Sequence, residues 1–232
     1  MNTWQKGLLP LLFFLAVHNI HAFDMEITGK TIEGYSRKEY NRTSLYYGEL
    51  SSIGAIALND RYVFKSGISI GKTAVDTDIK LCNSARFDPF AGKPLQIAAA
   101  YLYTGLPEYR THAHTILPVI AYNARWAGIG IGTGLRFTSF SGEPALFEAV
   151  LSFSGYVNFI CKEALRIGIR CANFNDFSAG NMGSYALTLN SAVRLTKNWS
   201  IMNDLELMQS GSVALSAGFY GIAWRGGAQF TW

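Results

Sequence analysis

Tyr220-Gly221-Ile222-Ala223-Trp224-Arg225-Gly226-Gly227-Ala228-Gln229-Phe230-Thr231-Trp232 is the stretch that decides the fold. Counted back in twos from Trp232, one parity holds Phe230, Ala228, Gly226, Trp224, Ile222 and Tyr220. The other holds Thr231, Gln229, Gly227, Arg225, Ala223 and Gly221. Side chains alternate between the two faces of a strand, so one face here is apolar and aromatic while the other is small or polar. A strand with a lipid face and a water face is the repeating unit of a transmembrane β-barrel.

The aromatic ending resembles the terminal strand of bacterial outer-membrane β-barrels, whose last residue is read by the barrel-assembly machinery. Phe230 and Trp232 are the residues expected to carry that signal. The amino terminus points the same way. Lys6 supplies a positive charge, Gly7 to Val17 form an apolar core broken only by Pro10, and Ala22 stands at a plausible cleavage position. That is the form of a secretory signal peptide, and its apolar run is short of the about 20 residues a membrane helix needs. Residues 1–22 are therefore expected to be a signal peptide, and 23–232 a single outer-membrane barrel domain. No Cys near the cleavage point offers a lipid anchor.

Hydrophobic residues make up 49% of the chain and aromatics 14%, with 23 Gly against 6 Pro. A helical membrane protein would be more apolar and less glycine-rich, but a soluble β-sandwich would look similar, so the placement of aromatics and charges decides. The net charge of +4, part of it from Lys6, gives no support for nucleic-acid binding.

Four short polar turns punctuate the chain: Asn59-Asp60, Asn123-Ala124-Arg125, Cys161-Lys162-Glu163 and Lys197-Asn198. Each lies between alternating segments and suits a tight hairpin. Tyr62, Tyr122, Trp126 and Trp199 crowd beside three of them, and Tyr and Trp favour the membrane interface. The turns are thus expected on one rim, the periplasmic one. The longer polar stretches, Tyr35 to Arg42, Thr73 to Lys93, Phe140 to Pro144 and Asn173 to Gly180, are expected on the other.

Strand faces sort accordingly. Ile129, Ile131, Leu135 and Phe137 alternate with Gly128, Gly130, Gly132, Gly134 and Arg136. Four glycines on one face predict the close approach of something bulky across a narrow lumen. Phe147, Leu151, Phe153 and Phe159 alternate with Glu148, Ser152 and Asn158; Leu187, Leu189 and Val193 alternate with Thr188, Asn190 and Arg194. The expectation is an all-β, antiparallel, up-and-down transmembrane barrel. Four hairpins plus the two terminal strands give about ten strands. Eight or twelve remain open, because Leu95 to Tyr103 also alternates and an extra strand would need a partner.

The inward parity collects Lys65, Arg136, Arg166, Arg170, Arg194 and Arg225 with Asp24, Glu26, Glu148, Asp204 and Glu206. Such charges persist in a small barrel when paired, and the Arg194 hairpin is expected to set that residue against Asp204 or Glu206. The lumen is either a salt-bridged plug or a charge-lined conduit, and the near balance of signs predicts no strong ion selectivity. Enzymatic chemistry would fall to His112 and His114, the histidines of the mature chain, but no Ser-His pattern surrounds them. They are expected to be rim or lumen residues satisfied by hydrogen bonds rather than a metal site, and no cofactor is implied. Cys82, Cys161 and Cys171 are an odd count with no metal-ligand spacing; Cys161 and Cys171 are poor disulfide partners, a bond from Cys82 to either stays open, and free thiols are the expectation. Asn41-Arg42-Thr43 matches a glycosylation sequon that carries little meaning in a bacterial chain.

The signal peptide, strand faces, aromatic turns and terminal Phe230-Thr231-Trp232 together resemble small outer-membrane barrels of the OmpW/OprG-like kind. That resemblance implies a hydrophobic channel for small apolar molecules opening sideways into the membrane, and eight strands against the ten counted here. Three functions follow as expectations: a small channel or passive transporter of small or hydrophobic solutes, a closed structural or surface-interaction barrel, and a lipid-modifying hydrolase. The partners expected are outer-membrane lipid, the assembly machinery and small solutes, with no nucleic acid.

Overall fold

A computed structural model of the chain describes residues 22–35, 44–59, 61–72, 77–90, 92–141, 145–177, 184–210 and 218–232. Their alternating segments form twelve strands: β1 (Ala22–Tyr35), β2 (Ser44–Asn59), β3 (Tyr62–Lys72), β4 (Thr77–Phe87), β5 (Leu95–Leu106), β6 (Thr111–Asn123), β7 (Ala127–Ser139), β8 (Leu146–Cys161), β9 (Leu165–Ala172), β10 (Ser184–Arg194), β11 (Trp199–Ser210) and β12 (Gly218–Thr231). Each pairs antiparallel with its chain neighbours, and β12 pairs with β1, closing the barrel. Closure leaves no sheet edge with unpaired backbone groups, which a bilayer would not tolerate.

The strand number corrects the expected ten. The four tight hairpins and the terminal strands are present, and the β4–β5 hairpin is added to them. Thr77–Phe87, expected within a rim stretch, are therefore a strand of the wall. β4 disguises itself because its inner parity carries Asp78, Lys80, Ser84 and Arg86 while its outer parity includes Asn83. With polar residues on both faces, the amphipathic alternation is lost. The β4–β5 connection sits on the same rim as the four short turns, tied there by bonds from the Asp88 N–H to Arg61 O (2.8 Å) and from the Asn123 N–H to Pro94 O (2.7 Å).

Aromatics gather at that rim. Tyr62 stacks on Phe87 at 5.1 Å, Trp199 meets Phe230 at 5.1 Å, and Arg125 lies over Trp126. Side chains also close the turns: Asn59 Oδ1 accepts from the Arg61 and Tyr62 N–H groups, and Thr196 Oγ1 accepts from those of Asn198 and Trp199. At the opposite rim the described connections include a short 3-10 helix, η1 (Pro107–Tyr109), and residues 173–177. The stretch expected there from Tyr35 to Arg42, and the sequon at Asn41, lie outside the described residues beyond Tyr35.

The outer wall is an apolar band. Ile129 is 62% exposed and Phe159 59%, whereas Leu117 and Cys82 inside are each 1% exposed. Large exposed hydrophobics stand on every described strand except β4, unlike the isolated patches of a soluble monomer. Among the described residues no helix is long and apolar enough to cross a membrane. The glycine face of β7 has a different cause from the one expected. A Cβ at Gly128 would strike the Tyr156 ring of neighbouring β8, and one at Gly132 would strike Pro118 O of β6. The crowding comes from adjacent strands, not from across the lumen. The three cysteines are free.

Candidate functional site

The register settles where the charged residues lie. Arg136 stands directly across from Glu148 and forms an ion pair at 3.6 Å. Arg225 stands across from Asp204 and pairs with Glu206 at 3.4 Å. Arg166 and Arg170 share the inner face of β9, and Lys65 that of β3. Arg194 is at the short-turn rim, exposed and opposite Ser200, while Asp204 lies opposite Asn190. Four residue steps, roughly 13 Å, separate Arg194 from that level, so the expected pairing with Asp204 or Glu206 is not made. A cluster absent from the expectation joins Lys80 to Glu49 at 2.8 Å and to Asp78 at 3.2 Å on the inner faces of β2 and β4.

The connection after β9 does not stay on the rim. Asn173 first extends the β9 edge onto β8: its N–H donates to Phe153 O, its Oδ1 accepts from the Phe153 N–H at 2.7 Å, and its Nδ2 donates to Leu151 O at 2.8 Å. Those three bonds fix the point at which the chain turns inward. Asn175 Oδ1 accepts from the Phe177 N–H, a local turn closed by an Asn side chain, and Arg170 Nη2 donates to Phe174 O. The segment then reaches the far wall. Lys65 Nζ on β3 is 3.4 Å from Asp176 Oδ1, and Phe177 packs against Cys82, Leu102 and Leu117 of β4, β5 and β6. Gly67 makes room for it, since a Cβ there would lie 3.1 Å from the Phe177 ring and 2.9 Å from Ser52 O.

Beneath this arm is a chamber of about 520 Å³. Gln96, Asn123 and Asn158 mark its mouth at the short-turn rim, and Phe174, Asn175 and Asp176 form its roof. Its two sides differ. Arg166, Arg170, Asn190, Asp204 and Arg225 line the β9–β12 side, and Ala98, Ala100, Leu117, Val119 and Ala121 the β5–β6 side. Among its lining residues five cations (Lys65, Arg86, Arg166, Arg170, Arg225) face three carboxylates (Glu26, Asp176, Asp204). Two of these cations pair with carboxylates just behind the lining, Arg225 with Glu206 and Arg86 with Asp88 at 3.2 Å, so the near balance of signs over the inner parity holds here too, with the cations nearer the cavity.

His112 and His114 are elsewhere. By register they share the outer face of β6 with Ile116 and Ile120, so they are not lumen residues. Each is bonded through Nδ1, His112 to the Tyr103 hydroxyl and His114 to the Tyr101 hydroxyl, both at 2.8 Å. Gly105 permits the lean of Tyr103, whose hydroxyl lies 2.7 Å from where a Cβ would stand. His112 is about ten residues up the tilted strand from the rim aromatic Tyr122, roughly the 25 Å height of a barrel's apolar band. The quartet therefore stands toward the rim opposite the short turns, at the far end of the apolar band. Among the described residues there is no group of three His, Cys, Asp or Glu side chains able to hold a metal ion.

The arm residues Asp176 and Phe177 and the apolar wall at Cys82 and Leu117 were not among the sequence candidates. The signal for the arm was the placing of two phenylalanines, Phe174 and Phe177, in a segment otherwise rich in Asn, Asp, Ser and Gly.

No protein-family description matches the sequence, and no curated protein matches it. Solved structures do. The NanC porin superposes with a TM-score of 0.59 at 10% identity, covering 89% of this chain and 98% of that one. An outer-membrane channel from Pseudomonas putida F1 gives 0.58 at 7% identity, covering 91% and 95%. The translocator domain of the autotransporter NalP from Neisseria meningitidis gives 0.51 at 12% identity, covering 98% and 94%. The chain is similar to these in fold: an antiparallel barrel of the outer-membrane type.

Proposed function

We propose that the chain is an integral protein of the bacterial outer membrane, a narrow channel for small solutes constricted by its inward-folded segment 173–177. The observation that carries this reading is the arm itself, anchored on β8 through Asn173 and ending on the opposite wall at Lys65 and Leu117. A barrel that only needs filling is filled by its own inward side chains. An arm laid across a wider lumen instead narrows it and leaves a chamber below. The apolar outer band and rim aromatics support the membrane setting. The signal peptide over 1–22 and recognition of Phe230 and Trp232 by the assembly machinery belong to the same proposal.

Single-channel conductance of the refolded protein in a planar bilayer tests it. The wild type gives small steps, and the double substitution Asp176→Ala, Phe177→Ala enlarges them by freeing the arm. Silence in both forms, with folding shown by heat-modifiable migration, removes the channel reading. That result favours the second reading, a closed structural or surface-interaction barrel, which the pairs Arg136–Glu148 and Lys80–Glu49 support.

A further inference from the structure

We infer that the chamber binds amphipathic organic anions, an apolar ring or short chain bearing one carboxylate, and that these are the solutes of the channel. The inference rests on the channel reading for its transport meaning, while the binding itself needs only the chamber.

Two walls set the ligand chemistry. On the β9–β12 side, Arg225 is engaged by Glu206, but Arg166 and Arg170 are in no ion pair within 4 Å among the described residues. Both guanidiniums line the cavity, with the Asn190 amide on the adjacent strand. A planar carboxylate matches the fork of a guanidinium better than any other small anion except phosphate. The β5–β6 side, three to five strands round the ring from β9 and β10, has no guanidinium, and its amides Gln96 and Asn123 stand at the mouth. Ala98, Ala100, Val119 and Ala121 present methyl groups, and three of the four are the smallest side chain that still excludes polar contact. That arrangement leaves apolar room rather than apolar filling.

Each alternative ligand leaves one wall unsatisfied. An inorganic anion meets the arginines but leaves the methyl groups of β5 and β6 uncovered, and a polyhydroxylated sugar acid sets some of its hydroxyls against those methyl groups. An apolar neutral molecule covers the methyl groups but strips water from guanidiniums without replacing it. A cation meets the Arg166 and Arg170 guanidiniums, whose sign it shares. The volume of about 520 Å³ falls in the range of pockets for single small molecules, which argues against an oligomer held whole.

The test is equilibrium binding to the folded, detergent-solubilised full chain, read by calorimetry with four probes: 3-phenylpropionate, 3-phenylpropanol and 3-phenylpropylamine, which share the ring and differ in the head group, and propionate, which keeps the carboxylate without the ring. The expected order puts 3-phenylpropionate about tenfold or more ahead of both propionate and phenylpropanol, the factor that burial of a ring or one charge-assisted contact supplies. The amine is expected not to bind. Arg166→Gln with Arg170→Gln should remove the advantage over phenylpropanol, and the nearly isosteric Val119→Thr should reduce the advantage over propionate. Equal affinity for all four probes, or a preference untouched by these substitutions, overturns the inference. Binding with the expected order in a protein that never conducts would keep the ligand class and remove the channel. Conductance without the preference would do the reverse.

Discussion

The two sides of the barrel wall obey opposite rules. From β9 to β12 the pattern is that of a water-filled barrel: Leu187, Leu189, Ile201 and Leu205 face out, while Arg166, Arg170, Asp204 and Arg225 face in. From β3 to β6 it is partly inverted. Cys82, Leu102 and Leu117 are buried inside, while Ser66, Asn83, Tyr101, His112 and His114 stand outside. The inverted side is the one on which Phe177 lands. Inner side chains follow whatever fills the lumen in front of them: water calls for charge, and an inserted aromatic ring calls for Leu and Cys. The polar residues outside are tolerated because they bond to each other, Ser66 Oγ to Asn83 Oδ1 at 2.9 Å and the two histidines to their tyrosines.

The largest expected effect separates the two sides by stability. Leu117→Ala removes a side chain 1% exposed beneath the arm and should cost about 2–5 kcal/mol. Arg166→Leu, on the wetter side, should stay within about 0.5 kcal/mol. Urea unfolding midpoints of the two variants in the same detergent measure this. Equal losses would break the comparison, because they would mean that the arm contributes no packing to the wall it touches.

Thiol chemistry sharpens it next. Cys82 is 1% exposed under Phe177, whereas Cys161 is at the open rim, its sulfur beside the Arg125 side chain. A water-soluble maleimide should label Cys161 and spare Cys82 in the wild type. With Phe177→Ala the Cys82 rate should rise toward that of Cys161. A Cys82 that reacts equally fast in both proteins would show that the arm does not cover it.

This contrast also explains what the sequence made legible. β7 and β10 could be read because their outer residues are large and apolar while their inner ones are polar or glycine, so parity alone sorted Ile129 from Gly130 and Leu189 from Asn190. The same logic placed Arg166, Arg170, Asp204 and Arg225 on one face. β4 resisted because Asn83 outside and Lys80 inside are both polar, and the outside partner that satisfies Asn83 is on β3, not in β4. Once β4 and β5 were not both counted as strands, the face of His112 and His114 had no anchor, since a register is needed to tell inside from outside. Asp176 and Phe177 lie where alternation has no meaning at all. Their destination depends on Gly67, Cys82, Leu102 and Leu117, four residues on four strands.

The outer polar quartet gives a smaller test. Tyr103→Phe keeps the ring stacked on His112 at 6.0 Å and deletes only the hydroxyl that bonds Nδ1. The expected loss is about 0.5–1.5 kcal/mol, read as a shift in unfolding midpoint. No loss would mean that headgroup water replaces the hydroxyl, and that the interface rather than the tyrosine satisfies the histidine.

The smallest expected effect is at the rim of the inverted side, where the first residue of β4 is tied to η1. The Thr77 N–H donates to Glu108 Oε1 at 3.1 Å. Glu108 is exposed, and bonds from its own N–H and from that of Thr77 hold its carboxyl below the usual glutamate range. A lowered value means that the charged form is the one stabilised. The tie is therefore complete above the ordinary carboxylate range and is lost as pH falls through the lowered value, so it is intact at neutral pH. Glu108→Gln leaves an oxygen able to accept the bond but removes the charge that strengthens it. The Thr77 amide should then exchange slightly faster with solvent at neutral pH, with no change in unfolding midpoint, and the wild-type and variant rates should converge in acid. A large drop in stability would instead make this rim contact part of what holds β4 in the wall, and the inverted side would owe its order to its edge as well as to the ring of Phe177.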